Sequence, residues 1–189
     1  SFGDHNLSAM LMYMMREYRH DVLPNRNQGY SGRITYDYAN RYLLEFNFGY
    51  NGSERLASGT RFEFFPAASI GWVVSSEKFW EPLSQYVNHL KVRASYGLVG
   101  SDDFNGKAPH FLYQNQIGIG KAYDFWTGLP TNEQKRNGAN FEILSIQDAG
   151  WEHVKKFDIG VDLSLFNQVN ITFDYFHDVR DRILMSRAS

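Results

Sequence analysis

Apolar and polar residues alternate along several stretches of the chain, and the clearest of these runs from Tyr42 to Tyr50. Every even position in that run is aromatic or leucine, whereas Glu45 and Asn47 occupy odd positions. The segment 156–176 shows the same pattern on both sides of residues 167–168. Because successive side chains of a strand point to opposite faces, a period of two predicts β-strands, and the second segment predicts a β-hairpin.

Seven stretches carry such strand patterns, although a methionine cluster blurs the two faces of the first one. Pro66, inside the fourth stretch, predicts a sheet edge or a bulge, because proline cannot donate a hydrogen bond to a neighbouring strand. A helical turn is expected at Glu77–Trp80. The seven predicted strands are Leu7–Tyr18, Gln28–Asp37, Tyr42–Tyr50, Phe62–Val74, Leu90–Leu98, Phe157–Leu165 and Val169–Arg182.

Short or structured connections between these strands alternate with longer and more polar ones. The first group comprises 38–40, 75–89 and 167–168, and the second comprises 19–27, 51–60 and 100–150. Outer-membrane barrels have short periplasmic turns and long external loops, so the pattern predicts that 51–60 and 100–150 lie outside the cell and that the first group is periplasmic. The stretch 100–150 is too long for an ordinary connection, which favours a functional loop or a folded excursion.

The placement of aromatic residues favours a barrel over a soluble sandwich. A sandwich buries its apolar faces, whereas an outer-membrane barrel turns them towards lipid and flanks them with aromatic girdles. Tyrosine and tryptophan recur at the ends of the apolar faces, for example at Tyr42, Tyr50, Trp72 and Tyr175. An aromatic-rich sandwich core is the alternative. The barrel interpretation predicts the following lipid-facing residues: Tyr42, Leu44, Phe46, Phe48, Leu90, Val92, Ile159, Val161, Leu163, Ile171 and Phe173.

The composition changes this picture mainly by exclusion. A net charge of −2 gives no electrostatic argument for nucleic acid as a partner. The chain has no cysteine, which excludes disulfides and thiolate metal sites. The longest apolar run, Ala9–Met15, is much shorter than the roughly 20 residues of a membrane-spanning helix, whereas barrel strands need only about 9–11 residues.

Four blocks of the sequence, which together cover nearly half of it, carry a family resemblance. They are GRITYDYANRYLLEFNFGYNGSERL (Gly32–Leu56), RFEFFPAASIGWVVSSEKFW (Arg61–Trp80), LKVRASYGLVGSDD (Leu90–Asp103) and WEHVKKFDIGVDLSLFNQVNITFDYF (Trp151–Phe176). In this order and spacing they resemble the SusC/RagA family of TonB-linked outer-membrane transporters of Bacteroidetes. Glu63 departs from the family's pattern, in which Gly or Tyr is more usual at this place.

The resemblance implies an all-β fold, in which antiparallel up-and-down strands form part of a large transmembrane β-barrel of about 22 strands in the cell outer membrane. It implies a plug domain, a SusD-like surface lipoprotein as partner, energy from TonB, and an oligosaccharide or peptide substrate. Because the sequence starts at Ser1 and stops after a strand-like run, we expect residues 1–189 to be a partial barrel domain of about seven strands. The plug, the TonB-contacting segment and the other strands would then lie outside it.

Aromatic residues in 100–150 are the candidate contacts for a substrate or a partner. Tyr113, Tyr123, Phe125 and Trp126 could stack on a sugar or a peptide, since aromatic faces bury a large area at low entropic cost. Two other interpretations stand beside this one. The same side chains could contact the capping lipoprotein, or they could pack together and hold the loop closed.

Nothing in the sequence predicts catalysis, a cofactor or a metal site. Asp102-Asp103 is most simply a solvated pair of carboxylates in a loop, and the histidines include no pair at metal-ligand spacing. Gly118 and Gly120 lack the following helix that a phosphate-binding loop needs. We therefore predict that the chain is not an enzyme.

Three functions stay open from the sequence. The leading one is part of a TonB-dependent transporter that imports oligosaccharides or peptides. The second is a passive porin or a structural outer-membrane barrel, which would lack the plug and the TonB-contacting segment. The third is a soluble β-sandwich binding module, which would be soluble without detergent.

Overall fold

A long antiparallel sheet of seven strands dominates the computed structural model, which describes residues 3–19, 25–102, 111–120, 125–128, 134–166 and 168–185. Its strands are β1 (His5–Tyr18), β2 (Asn25–Tyr38), β3 (Tyr42–Ser53), β4 (Phe62–Val73), β5 (Val87–Ser101), β10 (Glu152–Leu165) and β11 (Val169–Asp181). They lie side by side in chain order, and every pair is antiparallel. The predicted all-β, up-and-down arrangement is confirmed.

Four short strands are described between β5 and β10, in the region where the sequence pattern breaks. They are β6 (Gln116–Ile119), β7 (Phe125–Thr127), β8 (Gln134–Arg136) and β9 (Ala139–Ile143). β6 pairs with β9, and β7 pairs with β8. The described parts of 100–150 therefore form a folded excursion, as one of the two sequence-based interpretations expected.

Five of the seven long strands extend beyond the predicted ones, most of all at the start of β10. Residues 152–156 show no alternation of apolar and polar side chains, yet they pair with β5 from Glu152 opposite Ser101 onwards. From His153 opposite Asp181 the same strand also pairs with β11. Backbone hydrogen bonds to two neighbouring strands maintain this part of β10, although its side-chain pattern does not indicate a strand.

Pro66 marks a local edge within the sheet, in agreement with the prediction. Pairing between β4 and β5 runs only from Ala67 opposite Gly97 to Val73 opposite Lys91. Residues 62–66 of β4 therefore pair with β3 alone, and Pro66 stands where the missing N–H group would have pointed to β5. The gap between the two strands opens towards the chain's long loops.

The antiparallel order places the connections at two opposite ends of the sheet. The turn end carries the β2–β3 turn, the 3-10 turns Val74–Ser76 and Lys78–Leu83, and the β10–β11 turn. The loop end carries the β3–β4 loop and the excursion between β5 and β10. The expected helical turn at Glu77–Trp80 is present as the second 3-10 turn, which begins at Lys78.

The tight β2–β3 turn places two non-glycine residues in the left-handed region. Ala39 and Asn40 have φ angles of 53° and 54°, and the N–H of Arg41 donates to the carbonyl of Tyr38 at 2.9 Å. Two successive positive φ angles give the turn whose twist fits the right-handed twist of the flanking strands.

The two faces of the sheet differ in the way the alternation predicts. In one row across four neighbouring strands, Leu44 lies beside Ile70, then Ala94, then Ile159. The strand register puts all eleven residues predicted to face lipid on this apolar face. Large side chains there stay exposed, with Leu44 at 48% and Phe173 at 66%. Contact with lipid stays a prediction.

The main buried core lies at the loop end rather than beneath the sheet. Leu56, Phe65, Leu112, Ala149 and Trp151 pack together there, and we name these five residues the loop-end cluster. Among the described residues, no helix is long and apolar enough to cross a membrane.

Candidate functional site

The structure does not bring the predicted aromatic contacts together. Phe125 and Trp126 are adjacent on β7 and so point to opposite faces of the β7–β8 pair, with 54% and 62% of their surface exposed. Tyr113 lies at the base of the excursion, half-buried, with its ring edge against Phe111 at 5.9 Å. Tyr123 lies outside the described residues. Contact of these side chains with a substrate or a partner stays a prediction.

The loop-end cluster holds the excursion against the sheet, and the sequence pattern did not reveal it. Leu56 is fully buried and Leu112 is 2% exposed, although they come from two different loops. Trp151 makes a T-shaped contact with Phe65, with ring centroids 5.3 Å apart, and donates from Nε1 to the carbonyl of Arg61 at 3.1 Å. Phe65 fills the gap that opens between β4 and β5 beyond Pro66, where Gly100 leaves room for its ring.

Hydrogen bonds fix both ends of the excursion, one to the end of β3 and the other to the β3–β4 loop. The buried hydroxyl of Ser53 donates to Oδ2 of Asp102 at 2.6 Å, and the Thr60 hydroxyl donates to the carbonyl of Ala149 at 2.7 Å. The N–H of Leu112 donates to the carbonyl of Arg55 at 3.2 Å. Asp102 is thus half-buried and bonded rather than simply solvated as the sequence suggested, and Asp103 lies outside the described residues.

A polar group of four side chains ties β4 to β10 and β11 beside this cluster. His153 is 7% exposed, and its Nε2 lies 2.9 Å from Oε1 of Glu63. The Arg182 guanidinium approaches the same carboxylate oxygen at 3.3 Å, and Asp181 lies 3.7 Å from Nδ1 of the histidine. Charged partners surround this buried histidine, which is the usual condition for burying such a group.

An aromatic row crosses four strands at the turn end of the apolar face. His5, Tyr38, Tyr42 and Trp72 lie side by side in the strand register. Tyr42 and Trp72 are stacked with ring centroids 6.5 Å apart and planes 9° apart. A second row, at the loop end of the same face, consists of Tyr13, Tyr30, Tyr50 and Phe64.

Glu77 anchors the turn-end row from the connection that follows β4. Its Oε1 accepts hydrogen bonds from the Tyr42 hydroxyl at 2.7 Å and from Nε1 of Trp72 at 3.3 Å, and its Oε2 lies 3.6 Å from Arg41. These donors, first Tyr42 and then Trp72, together with the Arg41 charge, hold the pKa of the Glu77 carboxyl below its usual range.

Ion pairs cross the polar face of the sheet. Arg33 and Glu45 meet at 2.6 Å on β2 and β3. Arg93 on β5 reaches over Gly160 of β10 to Asp174 on β11 at 2.6 Å, and a side chain at position 160 would collide with the guanidinium. The described histidines and carboxylates do not form a cluster of three or more that could hold a metal ion.

Comparisons with known proteins show that the chain is similar to a part of large receptors. No protein-family model matches it. It is 32% identical to the TonB-dependent receptor P39 of Formosa agariphila over 159 residues. This alignment covers 80% of the chain and 13% of the receptor. The chain is 27% identical to the TonB-dependent receptor SusC of Bacteroides thetaiotaomicron over 158 residues. This alignment covers 81% of the chain and 14% of that receptor. The chain thus spans about a seventh of the length of these relatives.

Solved structures show the same fold. The chain superimposes on the RagAB peptide transporter with a TM-score of 0.75 over 96% of its own length and 22% of that chain, at 16% sequence identity. The RagAB peptide importer in its open-open state gives a TM-score of 0.71 over 91% of the chain. The relatives named here are receptors and transporters rather than enzymes, in agreement with the sequence-based prediction.

Proposed function

From the premise that this chain resembles the SusC/RagA-type TonB-dependent receptors in sequence and fold, we propose that it forms part of the barrel wall of such a transporter in the cell outer membrane. The whole protein would import an oligosaccharide or a peptide, with a SusD-like surface lipoprotein as partner and with energy from TonB. Its plug, its TonB-contacting segment and the other strands of a barrel of about 22 strands would lie outside these residues.

The observation that carries this proposal is the single-layer sheet with one exposed apolar face between two aromatic rows. Tyr42 and Tyr50 of β3 belong to the two rows and are separated by eight residues. At about 3.4 Å per residue this is roughly 27 Å along the strand. A strand tilted by about 40° covers roughly 21 Å of membrane height over that distance, close to the 25 Å apolar band of outer-membrane barrels.

The opposite face has the character of a water-filled interior. Charged residues lie in the middle of its strands, where Arg33 pairs with Glu45 and Arg93 pairs with Asp174. Lipid would not tolerate ion pairs as exposed as these, whereas an aqueous lumen would. We therefore assign the apolar face to lipid and the charged face to the lumen.

The two outer strands support the proposal that further strands complete the barrel. Within the described sheet, β1 pairs only with β2, and β11 pairs only with β10. Unpaired backbone groups in the hydrocarbon region cost several kcal/mol each, so spanning strands occur only in closed barrels. Additional strands of the same polypeptide are the simplest partners for both edges.

The loop end would face the outside of the cell, where substrate arrives and a surface lipoprotein could cap the lumen. Phe125 and Trp126 are the best placed of the four predicted aromatic contacts, because both are exposed on the excursion. Tyr113 is half-buried against Phe111, so it is the weaker candidate. RagAB, whose fold this chain shares, is a peptide transporter, which supports a peptide as the substrate class.

Uptake by the full-length protein in whole cells tests the proposal. Cells that express it are offered labelled fractions of an oligosaccharide library and of a peptide library. They should accumulate at least one fraction, and a strain without TonB should accumulate none. Equal uptake with and without TonB would support the passive porin instead. A full-length protein that is monodisperse in plain buffer without detergent would refute the membrane proposal altogether.

A further inference from the structure

The apolar face contains a groove at the turn-end half of strands β3 to β5. Its volume is about 440 Å³, and almost all of the atoms that line it are apolar. On this face the lining side chains are Tyr42, Leu44, Ile70, Trp72, Val92 and Ala94.

A step in side-chain size creates the groove. Trp72 lies beside Val92 in the strand register, and Ile70 lies beside Ala94, so large residues of β4 flank small residues of β5. Ile70 and Trp72 project outwards, with 58% and 40% of their surface exposed. The small residues form the floor and the large ones form a wall.

Hydrogen bonds hold Trp72 of this wall and the neighbouring Tyr42 in place before any ligand binds. The stacked rings of Tyr42 and Trp72 both donate to the same oxygen of Glu77, at 2.7 and 3.3 Å. A surface aromatic residue normally loses rotamer freedom when it orders around a ligand, and a fixed wall avoids that cost.

We propose that this groove binds one acyl chain of a phospholipid from the periplasmic leaflet as a defined site, and this proposal rests on the proposed function above. The groove offers a sugar or a peptide almost no polar partner, whereas a hydrocarbon chain needs none. It is continuous with the face assigned to lipid, and it lies in the half of the apolar band next to the turn end, which we assign to the periplasm. Glu77 is a positioning residue, because it fixes the aromatic wall without entering the groove.

Two alanines on the same face give a matched pair of variants. Ala94 lies on the floor of the groove, whereas Ala68 lies one row nearer the loop end, outside the groove, between Phe46 and Tyr96. Ala94→Phe should fill the groove, and Ala68→Phe should add the same bulk to the same face without filling it.

The experiment uses the full-length protein in phosphatidylethanolamine vesicles that contain a small fraction of phospholipid with a photoreactive diazirine on its acyl chain. After irradiation, mass spectrometry maps the labelled residues. We expect the label to concentrate on Trp72, Val92 and Ala94 in the parent and in Ala68→Phe. In Ala94→Phe it should fall about tenfold, which corresponds to about 1.4 kcal/mol of binding free energy. Trp72→Ala removes the wall instead of filling the floor, and it should lower the label at Ala94 as well.

Other outcomes would overturn the proposal in distinguishable ways. Label spread evenly over the apolar face and unchanged by Ala94→Phe would show ordinary surrounding lipid only. Cross-links between two protein copies through Ile70 or Trp72 would show that a second copy covers the groove. Label on the polar face, for example at Ser95, would instead refute the membrane placement on which the proposed function depends.

Discussion

The side chains at the two ends of the sheet are held in place by different interactions. At the loop end, Leu56, Leu112 and Trp151 are buried in a small core. The segments that form it are far apart in the chain, and Trp151 bonds to Arg61 across 90 residues of sequence. At the turn end, exposed aromatic rings lie in a row on neighbouring strands, and a single carboxylate, Glu77, anchors two of them. The loop end is thus built like the core of a water-soluble protein, and the turn end is built like a surface that meets another phase.

This difference has a practical meaning for mutations. Truncation at the loop end removes buried contacts and leaves a cavity, so its cost should appear as lost stability and as a loosened excursion. Truncation at the turn end removes anchoring of surface rings, so its cost should be smaller and should depend on the surrounding medium. The following predictions test this contrast, beginning with the largest expected effect.

Single cysteines at the two ends should label in an all-or-none manner in intact cells. The chain has no native cysteine, so Ser58→Cys in the β3–β4 loop and Gln168→Cys in the β10–β11 turn introduce single thiols at exposed positions of this region. A membrane-impermeant maleimide should react with the first and not with the second. Reaction at residue 168 alone would reverse the orientation proposed here.

Trp151→Ala should destabilise the protein by about 3–5 kcal/mol, because it removes a large buried aromatic side chain. Trp126→Ala is the control, since Trp126 is 62% exposed and Trp151 only 6%. Denaturant unfolding of the full-length protein in detergent measures both. Limited proteolysis should also cut the excursion faster in Trp151→Ala, whereas equal behaviour of the two variants would contradict the role of the loop-end cluster.

Phe46→Arg should cost about 2–4 kcal/mol, because it places a charge near the middle of the lipid-facing band. Ser69→Arg is the control on the polar face, where the added charge would lie beside Glu45 and meet the lumen and should cost little. The measurement is the free energy of unfolding in phospholipid bilayers. Equal costs on the two faces would mean that no lipid contacts Phe46.

Glu77→Gln should have the smallest effect and should be visible as a change in pH dependence. The pKa of Glu77 is lowered in the folded state from an ordinary value of 4.5, so its contribution to stability is present above that value and is lost as the pH falls through the lowered pKa. The stability of the parent should therefore fall, relative to Glu77→Gln, as the pH drops below about 4.5. Tyr42→Phe, which removes the first hydroxyl donor to Glu77, should reduce the pH dependence in the same direction as Glu77→Gln.

The sequence predicted the strands because their side chains must alternate wherever one face is apolar. Tyr42–Tyr50 is the best example, since Tyr42, Leu44, Phe46, Phe48 and Tyr50 all lie on the same face of β3. The start of β10 was missed for the opposite reason, because residues 152–156 are held by pairing on both sides rather than by alternation. Pro66 was informative because its missing N–H group has a defined structural consequence, and the pairing between β4 and β5 does end beside it.

The loop-end cluster could not be predicted in the same way. Leu112 is a single apolar residue in an irregular stretch, and its burial depends on Leu56 and Trp151, which are distant in sequence. No local period records such a contact. The aromatic residues chosen from the sequence, Phe125 and Trp126, are exposed on the structure, so aromatic content alone did not identify which residues of the excursion pack against the sheet.

The contact between Arg93 and Asp174 has a consequence for the order in which the chain folds. It bridges three strands and joins residues 81 positions apart, so it forms only after β5 has found β10 across the excursion. Bringing distant residues together costs entropy that rises by about 0.6 kcal/mol with each doubling of the loop. The meander β1–β5 and the hairpin β10–β11 close through much shorter loops, so we expect both to form first. The pairing between β5 and β10 would then be the last part of the sheet to form. The excursion would stabilise that pairing when it packs on the sheet through the loop-end cluster.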